Sequence, residues 1–218
     1  TASSGERTVE ESYLQDPLET MIIREQAYSD SKDMKLVALQ YIRQALEEGR
    51  ASPEVRKALE YLALESSTTV IRAGGVGRVL NNYPDVRREA CLMLGEIKTV
   101  EAKDALLKVA LADNEPMVIA AALRSIGKIG IMDGDDVTQT IAFVVNRFDI
   151  LFPDNSLAFE SLVALEALAE ANGGIKDPAA IRAIMKIADG SYITPVRQKA
   201  KDLLTKLRKY SGSSGSGK

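Results

Sequence analysis

The stretch Pro84-Asp-Val-Arg-Arg-Glu-Ala-Cys-Leu-Met-Leu-Gly95 decides how the rest of the chain reads. Val86 is followed by Ala90, Leu94 and Ile97 at offsets of 4, 8 and 11. That spacing puts all four side chains on one face of an α-helix. Pro84 stands two residues ahead of Val86, in a first turn where proline has no donor to lose and its φ already suits a helix. Asp85 beside it favours the positive end of the helix dipole.

The same pattern recurs in both directions, which makes it an internal repeat. Downstream it runs Val118, Ala122, Ile126 and Ile129, then Leu157, Ser161, Leu165 and Leu168, then Val196, Ala200, Leu204 and Leu207. Upstream it runs Val55, Leu59 and Leu62. Successive copies begin 31, 32, 39 and 39 residues apart. Proline leads again in Pro53-Glu-Val-Arg and Pro116-Met-Val-Ile, and in shifted form in Thr194-Pro-Val-Arg. Such periods fit paired helices stacked in a row. Partner helices are expected at 100–112, 136–148 and 178–188, with two more upstream at 16–29 and 31–48. Gly95, Gly127, Gly130 and Gly173-Gly174 are expected to mark turns. An irregular loop is expected around 148–155.

Composition narrows the chemistry. The 218 residues include no histidine, one cysteine and no tryptophan. Ser-His-Asp and Cys-His catalysis are excluded, as are histidine-based metal sites and an intramolecular disulfide. No apolar run is long enough to span a membrane. Residues 1–11 are polar and lack the apolar centre of a signal peptide. The chain opens without Met, so two compartments fit: the periplasm, for an exported mature chain, and the cytoplasm. The expected division is a disordered tail over 1–11, a helical repeat domain over 12–210 and a flexible Gly/Ser tail over 211–218.

At this point the chain resembles a HEAT-repeat protein. Residues 84–95 are similar to the family's second-helix pattern, and Thr99-Val-Glu-Ala-Lys-Asp-Ala-Leu-Leu107 resembles the start of the next repeat. The spacing near 31 is similar to the short HEAT-like subtype first described in phycobilin lyases. The resemblance runs over 31–210 and is weakest at the copy beginning with Leu157, which lacks both the proline and the arginine. It implies an all-α fold, an α-solenoid of stacked antiparallel helix pairs (HEAT-like or ARM-like), whose groove holds another macromolecule. It does not identify that molecule, because function lives in sites carried by folds.

Several residues stand out as candidate sites. Arg56, Arg87 and Arg197 occupy one place in three copies, and equivalent places form a ladder along a solenoid. Such a ladder either offers donors to a partner's carboxylates or phosphates, or ties neighbouring repeats together through acidic loop residues such as Asp85 or Asp113. Arg88 and Arg124 add surface charge.

Charge is unevenly spread: net −5 over 1–48, −5 over 49–172 and +7 over 173–218, for a total of −3. Lys201 and Arg208 belong to the basic last helix. That helix reads either as a docking face for an acidic partner, an anionic surface or nucleic acid, or as the polar cap that a terminal repeat needs. Opposite charge at the two ends also permits head-to-tail self-association.

Gly74, Gly75 and Gly77 interrupt the expected helix and read as a hinge. A phosphate loop is disfavoured, because the order does not match G-x-x-x-x-G-K-[ST] and no strand precedes it. The run Asp133-Gly-Asp-Asp136 lacks the spacing of a calcium loop and reads as a helix cap through Asp135 or Asp136. Cys91 reads as a buried apolar thiol. The apolar stretch from Phe143 to Phe152 reads as packing beneath a loop, or else as an exposed anchor.

Three function classes follow. The leading expectation is a non-enzymatic scaffold that binds a protein partner through its groove or an end surface. Nucleic-acid binding is disfavoured by the acidic remainder and the rarity of aromatics. An accessory enzyme subunit is the third. No cofactor or metal is expected.

Overall fold

The computed structural model describes residues 8–68, 82–150 and 153–213. Among them the secondary structure is helical throughout, in ten helices: α1 (Val9–Ala27), α2 (Lys32–Glu47), α3 (Pro53–Thr68), α4 (Pro84–Leu94), α5 (Val100–Ala112), α6 (Pro116–Ile129), α7 (Asp136–Asp149), α8 (Asn155–Asn172), α9 (Pro178–Asp189) and α10 (Thr194–Ser213).

Local chemistry explains many of these boundaries. Proline opens α4, α6 and α9 where a first turn tolerates it. Thr99 Oγ1 accepts from Ala102 N, Asp154 Oδ1 from Leu157 N and Asp177 Oδ1 from Ala179 N, which satisfies helix donors that have no partner within the helix. Gly130 and Gly173 end α6 and α8 in the left-handed region that favours glycine.

Each helix packs on the one two further along, and consecutive helices pack on each other except α6 and α7, which meet weakly if at all. The odd-numbered helices therefore form one layer and the even-numbered helices a second, the arrangement of an α-solenoid. One aliphatic core runs between the layers from Ile23 on α1 to Leu207 on α10. Small residues bring the even layer close. A Cβ at Gly127 would lie 2.9 Å from Ala164 Cα on α8, and one at Gly95 would lie 2.6 Å from Ser125 Oγ. Ser125 Oγ in turn donates to the carbonyl of Cys91 across the α4–α6 contact, at 2.7 Å. Cys91 is buried there, and burial pushes its thiol pKa up.

Four sequence expectations need correction. The helix starting with Val55's repeat copy is α3, which lies in the odd layer, whereas α4, α6, α8 and α10 are even. Among the described residues α3 is the helix that precedes α4 and packs on it, so a spacing of 31 residues alone set the wrong partner. The even-layer counterpart in the first pair is α2.

The second correction concerns α1, which begins at Val9, well before Asp16, and carries Pro17 inside it. A proline forfeits one hydrogen bond and crowds the turn before it, but does not forbid helix upstream. Third, Gly127 lies within α6, where its role is close approach to α8. Fourth, Asp133 and Asp136 face a lysine from another helix, as described below, although Asp136 Oδ1 also accepts from Val137 N. Gly74, Gly75 and Gly77 lie outside the described residues.

Candidate functional site

The outward face of the even layer is crossed by ion pairs from helix to helix. Lys32 with Asp85 and Arg43 with Glu89 join α2 to α4. Lys128 with Glu96 joins the turn after α4 to α6, and Arg124 with Glu160 joins α6 to α8. Lys199 and Lys206, both with Glu166, join α8 to α10, and Lys206 also meets Glu170. The hydrogen bond from Lys199, with a second from Lys206, holds the Glu166 carboxyl below its ordinary range against the opposing effect of partial burial. Exposed pairs of this kind stabilise by at most about 1 kcal/mol each. Their larger consequence is to neutralise most of the cations on this face.

Between α4, α6 and the start of α8 this lattice opens into a groove of about 360 Å³. Leu92, Met117 and Ala120 supply an apolar floor, and Met117 is 46% exposed. Arg88, Arg124, Asp154 and Glu160 are the groove's charged lining. Arg124 is held by Glu160, and Asp154 caps α8. Arg88 makes no ion pair among the described residues. The groove thus presents a thioether, aliphatic carbons and one uncompensated guanidinium to whatever lies in it.

The seven cationic candidates separate into four groups. Arg56 is in the odd layer and pairs with Glu60 one turn along its own helix, so Arg56, Arg87 and Arg197 are not one ladder. Arg87 is 4% exposed and grips Asp113, at the end of α5, through Nε at 2.7 Å and Nη2 at 3.4 Å. Its third nitrogen, Nη1, donates to Asn82. Of its two readings, the geometry is that of a tie between repeats. Arg88 and Arg124 meet in the groove. Arg197, Lys201 and Arg208 line up on α10, away from the groove.

Two buried lysines with similar inter-repeat roles escaped the sequence reading. Lys35 on α2 is fully buried, donates to the Ala27 carbonyl at 3.0 Å and meets Glu65 of α3 at 2.8 Å. Lys103 on α5 is surrounded by Asp104, Asp133 and Asp136 at 3.0, 3.0 and 3.5 Å. Burial pulls its pKa down, and the bonds to Asp104 and Asp133 more than reverse that. Their signal was a lysine at an apolar position of a helical stripe, with acidic residues about 30 further on.

Among the described residues no cluster of histidine, cysteine, aspartate or glutamate could hold a metal ion. No described helix is long and apolar enough to cross a membrane. Residues 79–148 match the family model of HEAT repeats. Over that third of the chain the sequence is similar to HEAT repeats, and the helical layers around it are consistent with that likeness. The match covers α4 to α6 and nearly all of α7, so three of the helices that build the inter-layer core and most of the groove's floor lie in it. No curated protein matches the chain. HEAT repeats generally mediate protein–protein contact, and the described surface of this one has the elements such contact uses: an apolar floor, a polar rim and a cation without an internal partner.

Proposed function

We propose that this chain is a non-catalytic interaction scaffold that holds a protein segment in the even-layer groove formed by α4, α6 and α8. One observation carries the reading. Arg88, Leu92 and Met117 lie together in a groove, outside the ion-pair lattice that ties down the rest of that face. Burying Met117 and Leu92 under a partner removes apolar area from water, at roughly 25 cal/mol per Å² before the costs of association. Arg88 supplies direction, through a charge-assisted bond to a carboxylate or carbonyl of the segment.

The test compares retention of proteins from native extract on immobilised chains. Met117→Glu with Arg88→Glu disrupts the groove at exposed and half-buried positions. Phe143→Glu, an exposed change on α7 in the odd layer, is the control. The proposal expects a discrete partner held by the parent and the control and lost from the groove variant, with all three melting alike. A partner that survives the groove changes and is lost with Phe143→Glu places binding on the other layer and ends the proposal. Retention abolished by nuclease moves nucleic acid to first place.

A further inference from the structure

The first and last described helix pairs each have one neighbouring pair among the described residues instead of two, and what they expose is complementary. On α10 the side that meets α8 carries Lys199 and Lys206. The side turned away from α8 carries Arg197, Lys201, Leu204 and Arg208, spaced by four, three and four residues. On α2 the side turned away from α4 carries Met34, Val37 and Tyr41. Met34 is 47% exposed and Tyr41 37%. Directly after α1, Tyr28 stacks against Tyr61 of α3, which leaves Leu18, Ile22 and Gln26 of α1 toward the opposite side. Terminal repeats normally close a solenoid with a polar outer face. Here the first pair ends in apolar side chains and the last pair in a cationic face around Leu204.

Each end also holds an unsatisfied polar atom. Arg197 Nε is a buried donor and Gln26 Oε1 a buried acceptor, neither with a hydrogen-bond partner. Buried polar groups are rarely left so. Arg87 shows how the motif is completed inside the stack. It is the fourth residue of α4, and its Nε donates to Asp113, directly after the next odd helix. Arg197 is likewise the fourth residue of α10, and no described helix follows in the odd layer. Gln26 lies in the last turn of α1, two residues before the place on an odd helix that corresponds to Asp113.

We propose that a second copy of this chain stacks on the first head to tail, with its α1 and α2 continuing the two layers beyond α9 and α10. In that arrangement Met34, Val37 and Tyr41 of one copy are covered by the Leu204 side of the other. A side-chain rotation at each residue brings the Arg197 Nε–H and the Gln26 Oε1, both buried in the single chain, together across the contact, and Lys201 and Arg208 face a segment of net charge −5 over residues 1–48. The contact is heterologous, so it propagates into open assemblies unless rotation closes a ring.

The experiment uses the full 218-residue chain in sedimentation velocity, at concentrations up to about 1 mM. Two variants each block one end at exposed positions: Lys201→Glu with Arg208→Glu, and Met34→Asn with Tyr41→Asn. Circular dichroism and melting establish that both are folded. The proposal expects the parent to pass from monomer to species larger than dimer, more weakly at high salt. Each variant alone stays monomeric. The two mixed give a heterodimer of twice 23.6 kDa and nothing larger, because one free face remains on each. Arg197→Ala in the parent weakens association roughly 5-fold, the worth of one hydrogen bond. A parent that stays monomeric throughout overturns the proposal. So does a Lys201→Glu, Arg208→Glu variant that still dimerises, since that contact joins two first pairs face to face.

Discussion

Replacing Arg87 with Leu removes the donor that ties α4 to the end of α5. The Arg87 and Asp113 side chains are 5% and 4% exposed, and the guanidinium approaches the carboxylate at 2.7 and 3.4 Å. Removing one member of a buried pair costs about 3–5 kcal/mol, because the other is left as an uncompensated buried charge. Asp113 Oδ1 keeps a bond from Glu115 N at 2.9 Å, which places the cost toward the lower figure. For a chain of this size each kcal/mol lowers the melting temperature by about 2–4 °C, so the expected drop is about 6–12 °C. The companion change Arg88→Ala, one residue along and half-buried on the outer face, is expected within about 0.5 kcal/mol of the parent. Adding Asp113→Asn to Arg87→Leu recovers part of the loss, with a coupling of about 1–3 kcal/mol. Thermal melting by circular dichroism reads these four chains and Asp113→Asn alone, which completes the cycle. An Arg87→Leu chain that melts within about 2 °C of the parent refutes the inter-repeat tie.

Gly127→Val forces a branched side chain against the Ala164 backbone, where even a Cβ sits at 2.9 Å. Overpacking there costs about 1–3 kcal/mol, and denaturant midpoints detect it. Tyr192 donates to Asp149 Oδ1 at 2.6 Å, so Tyr192→Phe is expected to cost about 1 kcal/mol in the same assay. The Glu166 carboxyl titrates below its ordinary 4.5 in the folded chain. Its contribution is therefore present above that value and is lost as pH falls through the folded pKa. Melting temperature measured from pH 6 down to pH 3 should fall less steeply in Glu166→Gln than in the parent, and equal slopes would remove Glu166 from the account.

The parts of the fold that follow from local periodicity were legible in the sequence. The stripe Val118, Ala122, Ile126 and Ile129 is buried along α6, and 100–112 is helical end to end, as its spacing indicates. What spacing could not distinguish was which layer a striped helix belongs to, and α3 was placed in the wrong layer for that reason. The arginines show a second limit. Arg87 and Arg88 are adjacent and chemically identical, yet a rotation of about 100° along the helix buries one against Asp113 and turns the other into the groove. Met117 and Leu92 belong to the same site, but an apolar residue at the edge of a stripe carries no mark of exposure until neighbouring helices are placed. Lys35 and Lys103 were hidden in the opposite way, as charges at positions that the repeat buries.

The most direct test of the scaffold reading is site-specific photocrosslinking in native extract. A photoreactive side chain is placed at position 117 in the groove, or at position 143 on the odd layer, with each chain checked for an unchanged melt. The account predicts that one discrete partner is captured from position 117 and not from 143, and that Arg88→Glu suppresses the capture. Capture from 143 alone, or capture from 117 that Arg88→Glu leaves intact, would contradict the account.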